Sequence, residues 1–378
     1  MSDPSDRGKP KLPPAHPLPE APEPEAGAPP RRKAIAMISG GLDSSIALQH
    51  VKRMGYEVKA LNFYTGFCIT ETHRRMGGRP KDGVYPRNEP LRAAAESETE
   101  VEFIDISEEY VDVVTNPRFG YGKNLNPCID CRIFMLSKAR EIMEAEGADF
   151  VFTGEVVGQR PKSQRKEALA LVEKHSGLKG RLLRPLSGRH LPPVIAEEEG
   201  HIRREDLAEM RGRGRKRQIE YAAAYGIDDY PQPAGGCCFL TDETYAQRFA
   251  DLLEHRPERT YTTEDIVLLS AGRYFRLPDG GRLIVARNDP ENKVLELHGK
   301  SQWFGDAAEI PGAAGVYEHP EGKPPGEEAS RIIAHYGKGR ELPEVIVRWR
   351  PPGSRVGDED FRHTVAPMSR AEMDPYLI

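Results

Sequence analysis

The segment at residues 39–45 combines small residues, two glycines and one carboxylate in an order that suits phosphate binding. It follows the apolar run 34–38 and precedes apolar residues at helical spacing, which predicts a strand, a loop and a helix. Glycines let the backbone turn tightly, and the helix start adds free N–H groups and a partial positive charge. The Gly-Lys-Ser/Thr ending of a Walker loop is absent. The predicted phosphate-binding residues are Ser39, Gly40, Gly41, Leu42, Asp43, Ser44 and Ser45.

Cysteines form the second group of candidate residues. Cys128 and Cys131 make a C-x-x-C pair at the start of a helix predicted over 133–145, which fits a redox pair, half of a zinc site or part of an iron–sulfur site. Cys237 and Cys238 are adjacent, so their side chains diverge and only one is expected to join the pair. Three thiolates suit a 4Fe–4S cluster with one open iron. The alternatives are zinc with a fourth ligand and catalytic thiols that handle a persulfide.

The segment 154–164 is a candidate for nucleotide or RNA contact because it follows a predicted strand and contains two glycines. Gly154 permits close backbone approach, Gln159 supplies a neutral donor and Lys162 supplies a positive charge. A plain strand–helix connection is the alternative. We expect Gly154 and Gln159 to contact the nucleotide and Lys162 to contact RNA phosphate.

The strongest basic run of the chain lies at residues 211–217. Such clusters contact the phosphate backbone of nucleic acids, although a solvated helix face gives the same pattern. The residues predicted to bind RNA here are Arg213, Arg215, Lys216 and Arg217. Cys68 lies in a loop, and it is interpreted as a spare thiol, with a third catalytic thiol as the alternative.

Short apolar runs alternate with helical patterns between residues 33 and 149. Strands are predicted over 34–38, 58–63, 101–106 and 149–154. This alternation predicts an α/β fold with a doubly wound parallel sheet. Sites in such sheets lie beyond the carboxyl ends of the strands, which is where the candidate loops fall.

The chain has 378 residues, a net charge of −5 and five cysteines. We expect a disordered Pro-rich tail at 1–32, a catalytic domain at 33–245, a helical linker at 246–271 and a smaller α+β domain at 272–378. A mobile loop is predicted over 66–90. The odd cysteine count favours metal or thiol chemistry over disulfides. With no apolar stretch of membrane-spanning length and no secretory signal, a cytoplasmic protein without a membrane partner is expected.

Several of these motifs resemble those of PP-loop ATP pyrophosphatases that thiolate tRNA. Residues 39–45 match the phosphate loop of that family, and residues 126–132 are similar to the C-x-x-C region of 4-thiouridine synthetases and 2-thiouridylases. Residues 153–164 and 184–186 resemble the Thr-Gly-Glu…Gly-Gln…Ser-Gln and Arg-Pro-Leu segments of the synthetases. The Ala-Gly-Gly-Cys stretch that ends at Cys237 is similar to the third cysteine of cluster-dependent thiolases. Residues 282–292 faintly resemble the RNA-binding domain of a ribosome-quality-control factor, which implies a role for residues 272–378 in RNA binding.

This resemblance implies a HUP-like adenine nucleotide alpha hydrolase fold and an ATP-dependent tRNA sulfurtransferase. ATP and Mg²⁺ would bind at the 39–45 loop, with Asp43 organising the metal or the loop itself. The uridine carbonyl oxygen would be adenylated and then replaced by sulfur from sulfide or a persulfide carrier. Cys128, Cys131 and Cys237 would ligate a 4Fe–4S cluster or, without a cluster, act as persulfide thiols. A sulfurtransferase acting on a small molecule and a non-catalytic RNA-binding scaffold are the competing hypotheses.

Overall fold

A computed structural model describes residues 32–69, 87–232, 238–256, 260–354 and 360–378 of the chain. The first part of the described chain forms a sheet flanked by helices. Its strands are β1 (Lys33–Met37), β2 (Glu57–Tyr64), β3 (Val101–Asp105), β4 (Phe150–Thr153) and β5 (Leu182–Leu183). Its helices are α1 (Leu42–Arg53), α2 (Glu89–Glu96), α3 (Val111–Thr115), α4 (Cys128–Glu146), α5 (Lys166–His175), α6 (Ile195–Glu198) and α7 (Lys216–Tyr225).

These five described strands are parallel and lie in the order β3-β2-β1-β4-β5. The central strand β1 is apolar because both faces of the sheet are covered, and Ala34, Ile35 and Ala36 are fully buried. The chain proceeds outward from β1 to β3 on one side and from β4 to β5 on the other. The order therefore reverses between β1 and β4, which opens a crevice at their carboxyl ends. The predicted doubly wound α/β fold is confirmed.

The helix that carries the C-x-x-C pair is longer than predicted. It begins at Cys128 rather than Ile133, because Cys131 N–H already donates to Pro127 O at 2.8 Å. Apolar spacing does not reveal this start, because the first turn of the helix is polar. The predicted end is confirmed, since Gly147 adopts the left-handed conformation that terminates a helix. Both cysteines therefore lie in the first helical turn.

The second part of the described chain begins with two helices, α8 (Glu243–Glu254) and α9 (Thr263–Ser270), as predicted for residues 246–270. An antiparallel sheet follows, in the order β11-β10-β8-β9-β7-β6. Its strands are β6 (Arg273–Arg276), β7 (Arg282–Val285), β8 (Trp303–Ala307), β9 (Gly315–Glu318), β10 (Val345–Arg350) and β11 (Phe361–Val365). Its helices are α10 (Asp289–His298), α11 (Glu327–His335) and α12 (Arg370–Met373). The predicted α+β character of this part is confirmed.

One hydrophobic core joins the two sheets. Phe67 and Tyr110 come from loops at the carboxyl edge of the parallel sheet, and they pack in the same cluster as Phe249 of α8 and Leu268 of α9. The cluster continues into the antiparallel sheet at Ile284. The helices α8 and α9 therefore act as a shared layer between the two sheets. The domain limits at residues 32, 245 and 271 remain predictions.

A buried group of charges reinforces this junction. Arg256 donates from Nη2 to Asp265 Oδ1 at 2.8 Å and to Glu318 Oε1 at 2.7 Å. Arg282 is 2% exposed and also pairs with both carboxylates. Burial opposes ionisation of Asp265, but the guanidinium groups of Arg282 and Arg256 keep its pKa below the usual value.

Within the described ranges, no helix is long and apolar enough to cross a membrane.

Candidate active site

The loop between β1 and α1 forms an open helix N-terminus at the crevice. Gly40 has a φ of +74°, and a Cβ there would lie 2.2 Å from the carbonyl carbon of Glu89, so only glycine fits under the start of α2. Gly41 is extended at the N-cap of α1, where no side chain caps the helix. The Ser44 hydroxyl instead donates to Gly41 O at 2.8 Å. The loop therefore leaves the first N–H groups of α1 available for an anion.

Asp43 lies in the first turn of α1, beside the loop that follows β4. Gln159 donates from Nε2 to Asp43 Oδ2 at 2.9 Å, whereas the buried Oδ1 has no hydrogen-bond partner among the described residues. Burial raises the pKa of Asp43, and the contact with Gln159 partly opposes that shift. A Cβ at Gly154 would lie 2.6 Å from the backbone of Asp43, so glycine is needed where β4 ends against α1. The structure thus brings together Asp43, Gly154 and Gln159.

Helix α7 runs parallel to α1 and places a second helix start near this site. Gln218, near the start of α7, interacts with Asp43, and His50 further along α1 contacts Tyr225 at the end of α7. Gln218 is 1% exposed, and its amide atoms have no hydrogen-bond partner within the described part of the chain. Gln218 was not among the residues predicted from the sequence. Only its burial distinguishes it from the exposed basic residues at the start of α7.

The basic run approaches the same edge through a backbone contact. Gly212 N–H donates to Val157 O at 2.8 Å, which attaches the run to the loop after β4. Arg215 is the N-cap residue of α7, and its positive charge lowers the pKa of Asp43. Lys162 lies exposed in the attached loop. The other predicted RNA-binding residues are exposed at the α7 start; they are Arg213, Lys216 and Arg217.

The C-x-x-C pair lies at the start of α4, where no side chain caps the helix. Asp130 between the two cysteines accepts the backbone N–H groups of Arg118 at 3.0 Å and Phe119 at 3.1 Å, which anchors the helix start to the preceding loop. Arg132, one residue after the pair, contacts Glu155 and Ser163 in the loop after β4, so the N-terminus of α4 lies at the carboxyl edge of the sheet, as does that of α1. Cys128 and Cys131 therefore share an edge with the phosphate loop.

The remaining described cysteines converge on this helix start. Cys238 pairs with Cys68 in an isolated antiparallel bridge, and Cys68 Sγ lies 3.5 Å from Thr65 Oγ1. Burial raises the pKa of Tyr110, and neighbouring Cys131 and Cys238 raise it further. Cys131 and Cys238 thus share Tyr110 as a neighbour. Cys237, the predicted third ligand, lies outside the described residues. Cys68 was interpreted as a spare thiol or a third catalytic thiol, and its bridge partner, which is far along the chain, could not be predicted from the sequence.

A buried ion network connects the cysteine helix to the end of β4. Arg132 Nε lies 3.1 Å from Glu155 Oε1, and Arg184 Nε donates to Glu155 Oε2 at 3.0 Å. Burial opposes ionisation of Glu155, but Arg132 and then Arg184 hold its pKa below the usual value. Arg132 also donates to Ser163 O at 2.8 Å. This network, which the sequence analysis did not foresee, fixes the C-x-x-C turn relative to the loop after β4.

Together, the parallel sheet, the uncapped glycine loop and the crevice at β1 and β4 define a PP-loop nucleotide-binding protein with a thiol-rich edge. Residues 30–196 match the family model described as "Thiamine biosynthesis protein (ThiI)", and residues 272–377 match "NFACT protein RNA binding domain". These matches confirm the predicted relationship to PP-loop tRNA thiolation enzymes.

Parts of this chain are similar to curated proteins and to a solved structure. The chain is 30% identical over 132 residues to the "tRNA-specific 2-thiouridylase MnmA" of Petrotoga mobilis, which covers 32% of this chain and 35% of that protein. It is 28% identical over 163 residues to the "Probable tRNA sulfurtransferase" of Thermococcus kodakarensis, and this match covers 43% of this chain and 39% of that protein. A solved 4-thiouridine synthetase–RNA complex with bound ATP aligns with a TM-score of 0.31 and 19% identity, over 52% of each chain. The chain thus spans little more than a third of these two curated relatives.

Proposed function

We propose that this protein is an ATP-dependent sulfurtransferase that thiolates a uridine of tRNA. The observation that carries the proposal is the shared sheet edge, where the uncapped start of α1 and the cysteine-bearing start of α4 lie together. One helix start suits a nucleotide phosphate, and the other suits thiolates. The names of the relatives, both of which refer to tRNA thiolation, agree with this pairing.

ATP would bind with its pyrophosphate on the N–H groups of residues 39–45, and Arg215 would add positive charge from α7. The oxygens of Asp43 and Gln218 that lack partners in the described structure are the hard donors that Mg²⁺ prefers. Asp43 and Gln218 therefore fit a magnesium ion, which when bound would offset the repulsion between the Asp43 carboxylate and the phosphates of ATP.

Adenylation would begin with attack of the uridine carbonyl oxygen on the α-phosphorus, and pyrophosphate would leave. A sulfur nucleophile would then attack the activated carbon, and AMP would leave with the former carbonyl oxygen. The role of Gln159 would be to hold Asp43 in its ionised form. The basic residues at 211–217 and Lys162 would bind the tRNA backbone beside the reacting base.

The source of sulfur is proposed to be a 4Fe–4S cluster on Cys128, Cys131 and Cys237, which when bound would supply the sulfur nucleophile. The donor set fits three thiolates, because the uncapped start of α4 favours ionised cysteines and Cys131 shares Tyr110 with the residue next to Cys237. Within the described residues no group of three or more metal-binding side chains occurs. Sulfide, or sulfide released from a persulfide carrier by a reducing thiol, would replenish the sulfur. Without a cluster, one of these cysteines would carry a persulfide whose outer sulfur attacks the activated carbon, and a second cysteine would resolve it by forming a disulfide with the first.

The test is mass spectrometry of thionucleosides in bulk tRNA from a strain that lacks the gene. We expect loss of one thiouridine, restored by the intact gene and not by a Cys131→Ala copy. An unchanged profile, in a strain shown to have no second enzyme for that nucleoside, would contradict the proposal and favour a small-molecule substrate.

A further inference from the structure

The antiparallel sheet is covered unequally on its two faces. Helix α11 packs on one face, where Val347 and Trp349 of β10 are fully buried. Side chains alternate along a strand, so the residues between them point to the opposite face. That face is covered by α8, α9 and α10 over β6, β7 and β9, as the shared core demonstrates. Beyond β8 it is open, and side chains on β10 and β11 are partly or fully exposed there: Ile346, Arg348, Arg350, Arg362 and Thr364.

A pocket of about 260 Å³ lies between α10 and the sheet, next to the open part of this face. Helix α10 contributes Lys293 and Glu296, and the sheet contributes Phe304, Asp306 and Arg350. Pockets for drug-sized ligands occupy roughly 300–1,000 Å³. The volume therefore suits one small group rather than a long ligand.

Arg350 is the most distinctive residue of this pocket. Its guanidinium carbon lies 4.4 Å from the ring centroid of Phe304, and its Nη2 lies 3.3 Å from Glu296 Oε1. Its side chain is 15% exposed, yet its buried Nε has no partner among the described residues. The guanidinium thus lies within cation–π distance of an aromatic ring and is incompletely hydrogen-bonded.

We propose that this pocket binds one unpaired base of the RNA, which stacks on Arg350. Bases of single-stranded RNA stack on aromatic rings and on guanidinium planes, and their edges are read by hydrogen bonds. Glu296 would accept a hydrogen bond from an amino group of the base. Asp306 is occupied by Arg348, to which it is bonded through both oxygens. The identity of the RNA as tRNA rests on the proposed function.

The charge pattern favours a base over a free anion. Two carboxylates, Glu296 and Asp306, line the pocket together with two cations, Lys293 and Arg350, so the pocket lacks the excess of positive charge that a phosphate site needs. The exposed arginines lie outside it, since Arg348 and Arg362 are register partners on the open face. We therefore expect the base to enter the pocket while the phosphates on either side follow these arginines.

The experiment measures binding of fluorescently labelled, unmodified tRNA to the full chain. Arg350→Met keeps an unbranched, flexible side chain but removes the guanidinium plane, and the affinity is expected to fall roughly ten-fold. Glu296→Gln releases Arg350 from its carboxylate, and the affinity is expected to stay equal or rise. The control is Arg331→Met on the opposite face, where Arg331 also pairs with a carboxylate, Glu372, at 2.9 Å.

Acylation of RNA 2′-hydroxyls locates the bound base. One unpaired nucleotide should change its reactivity on binding to the unaltered protein and not to the Arg350→Met variant. Equal affinity of that variant and the unaltered protein would overturn the proposal. Equal weakening by Arg350→Met and Glu296→Gln, with a lower melting temperature in both, would instead assign a structural role to the pair and also overturn it.

The outcomes separate this inference from the proposed function. If tRNA thiolation is established and Arg350→Met binds tRNA normally, the pocket proposal fails alone. If all thionucleosides persist without the gene but Arg350→Met weakens RNA binding, the pocket stands and the proposed reaction fails.

Discussion

Gln159 and Asp43 are joined by a hydrogen bond of 2.9 Å that connects the loop after β4 to the first turn of α1. The amide is neutral, so it stabilises the carboxylate without cancelling its charge. The bond leaves Oδ1 of Asp43 without a partner in the described residues. A residue from another segment of the chain therefore positions Asp43 and partly offsets the rise in its pKa.

Replacing Gln159 with leucine should impair the nucleotide step. The contact with Gln159 lowers the pKa of Asp43, so its removal raises that pKa above its already raised value. We expect AMP formation to fall roughly ten-fold at neutral pH and the acid limb of the rate profile to move to higher pH. The matched control is Gln49→Leu. Gln49 lies on α1, the helix that carries Asp43, and its amide contacts Ser97 instead of Asp43. An acid limb at the same pH in both variants would contradict the assignment.

Replacing Glu155 with glutamine should loosen the cysteine helix. The change leaves the buried Arg184 and the neighbouring Arg132 without their shared carboxylate, which is expected to cost about 3 kcal/mol of unfolding free energy. Denaturant unfolding measures this loss. Glu173→Gln is the control, since Glu173 also pairs with Arg184 but its side chain is 25% exposed. Losses of similar size in the two variants would argue against a special role for Glu155.

Acid should weaken the packing of α1 on α7 through His50. Burial lowers the pKa of His50 to about 4, and its ring contacts the Tyr225 hydroxyl at 2.6 Å and Asp206 O at 2.7 Å. The unfolded chain takes up a proton near pH 6.5 and the folded chain near pH 4, so stability is lost between these values as the pH falls. The expected loss is roughly 3 kcal/mol at 1.36 kcal/mol per pKa unit. Unfolding curves at several pH values test this, and a His50→Asn variant with an equal pH slope would refute it.

Single replacements of the adjacent cysteines should show whether Cys237 or Cys238 is the third ligand of the proposed cluster. After anaerobic purification, Cys237→Ala is expected to lose its iron, whereas Cys238→Ala should retain it. Cys68→Ala serves as the control, because Cys68 is the bridge partner of Cys238. Iron and acid-labile sulfide are measured directly, so the result does not depend on turnover. Loss of iron in Cys238→Ala alone would reverse the choice, and absence of iron from the unaltered protein would favour the persulfide route.

The sequence was sufficient to predict those features that depend only on neighbouring residues along the chain. The strands around β1, the glycine loop at 39–45 and the stop at Gly147 all follow from local spacing and backbone conformation. The start of α4 was misplaced, because its first turn is polar and apolar periodicity begins only at Ile133.

Features that depend on distant pairing could not be predicted. Gln218, Glu155 and Cys68 gain their significance from partners on other elements, and no pattern in the local sequence specifies those partners. The open face of the antiparallel sheet was also hidden, since β10 alternates like any half-buried strand. It is the limited reach of α10 that leaves this face uncovered.

The core shared by α8, α9 and both sheets has a consequence for shortened forms of this chain. Leu268 and Ile284 are buried within one cluster, so neither sheet can be removed without exposing apolar surface of the other. A fragment that carries only the parallel sheet would therefore expose the apolar residues around Phe67 and Tyr110, next to its own cysteines.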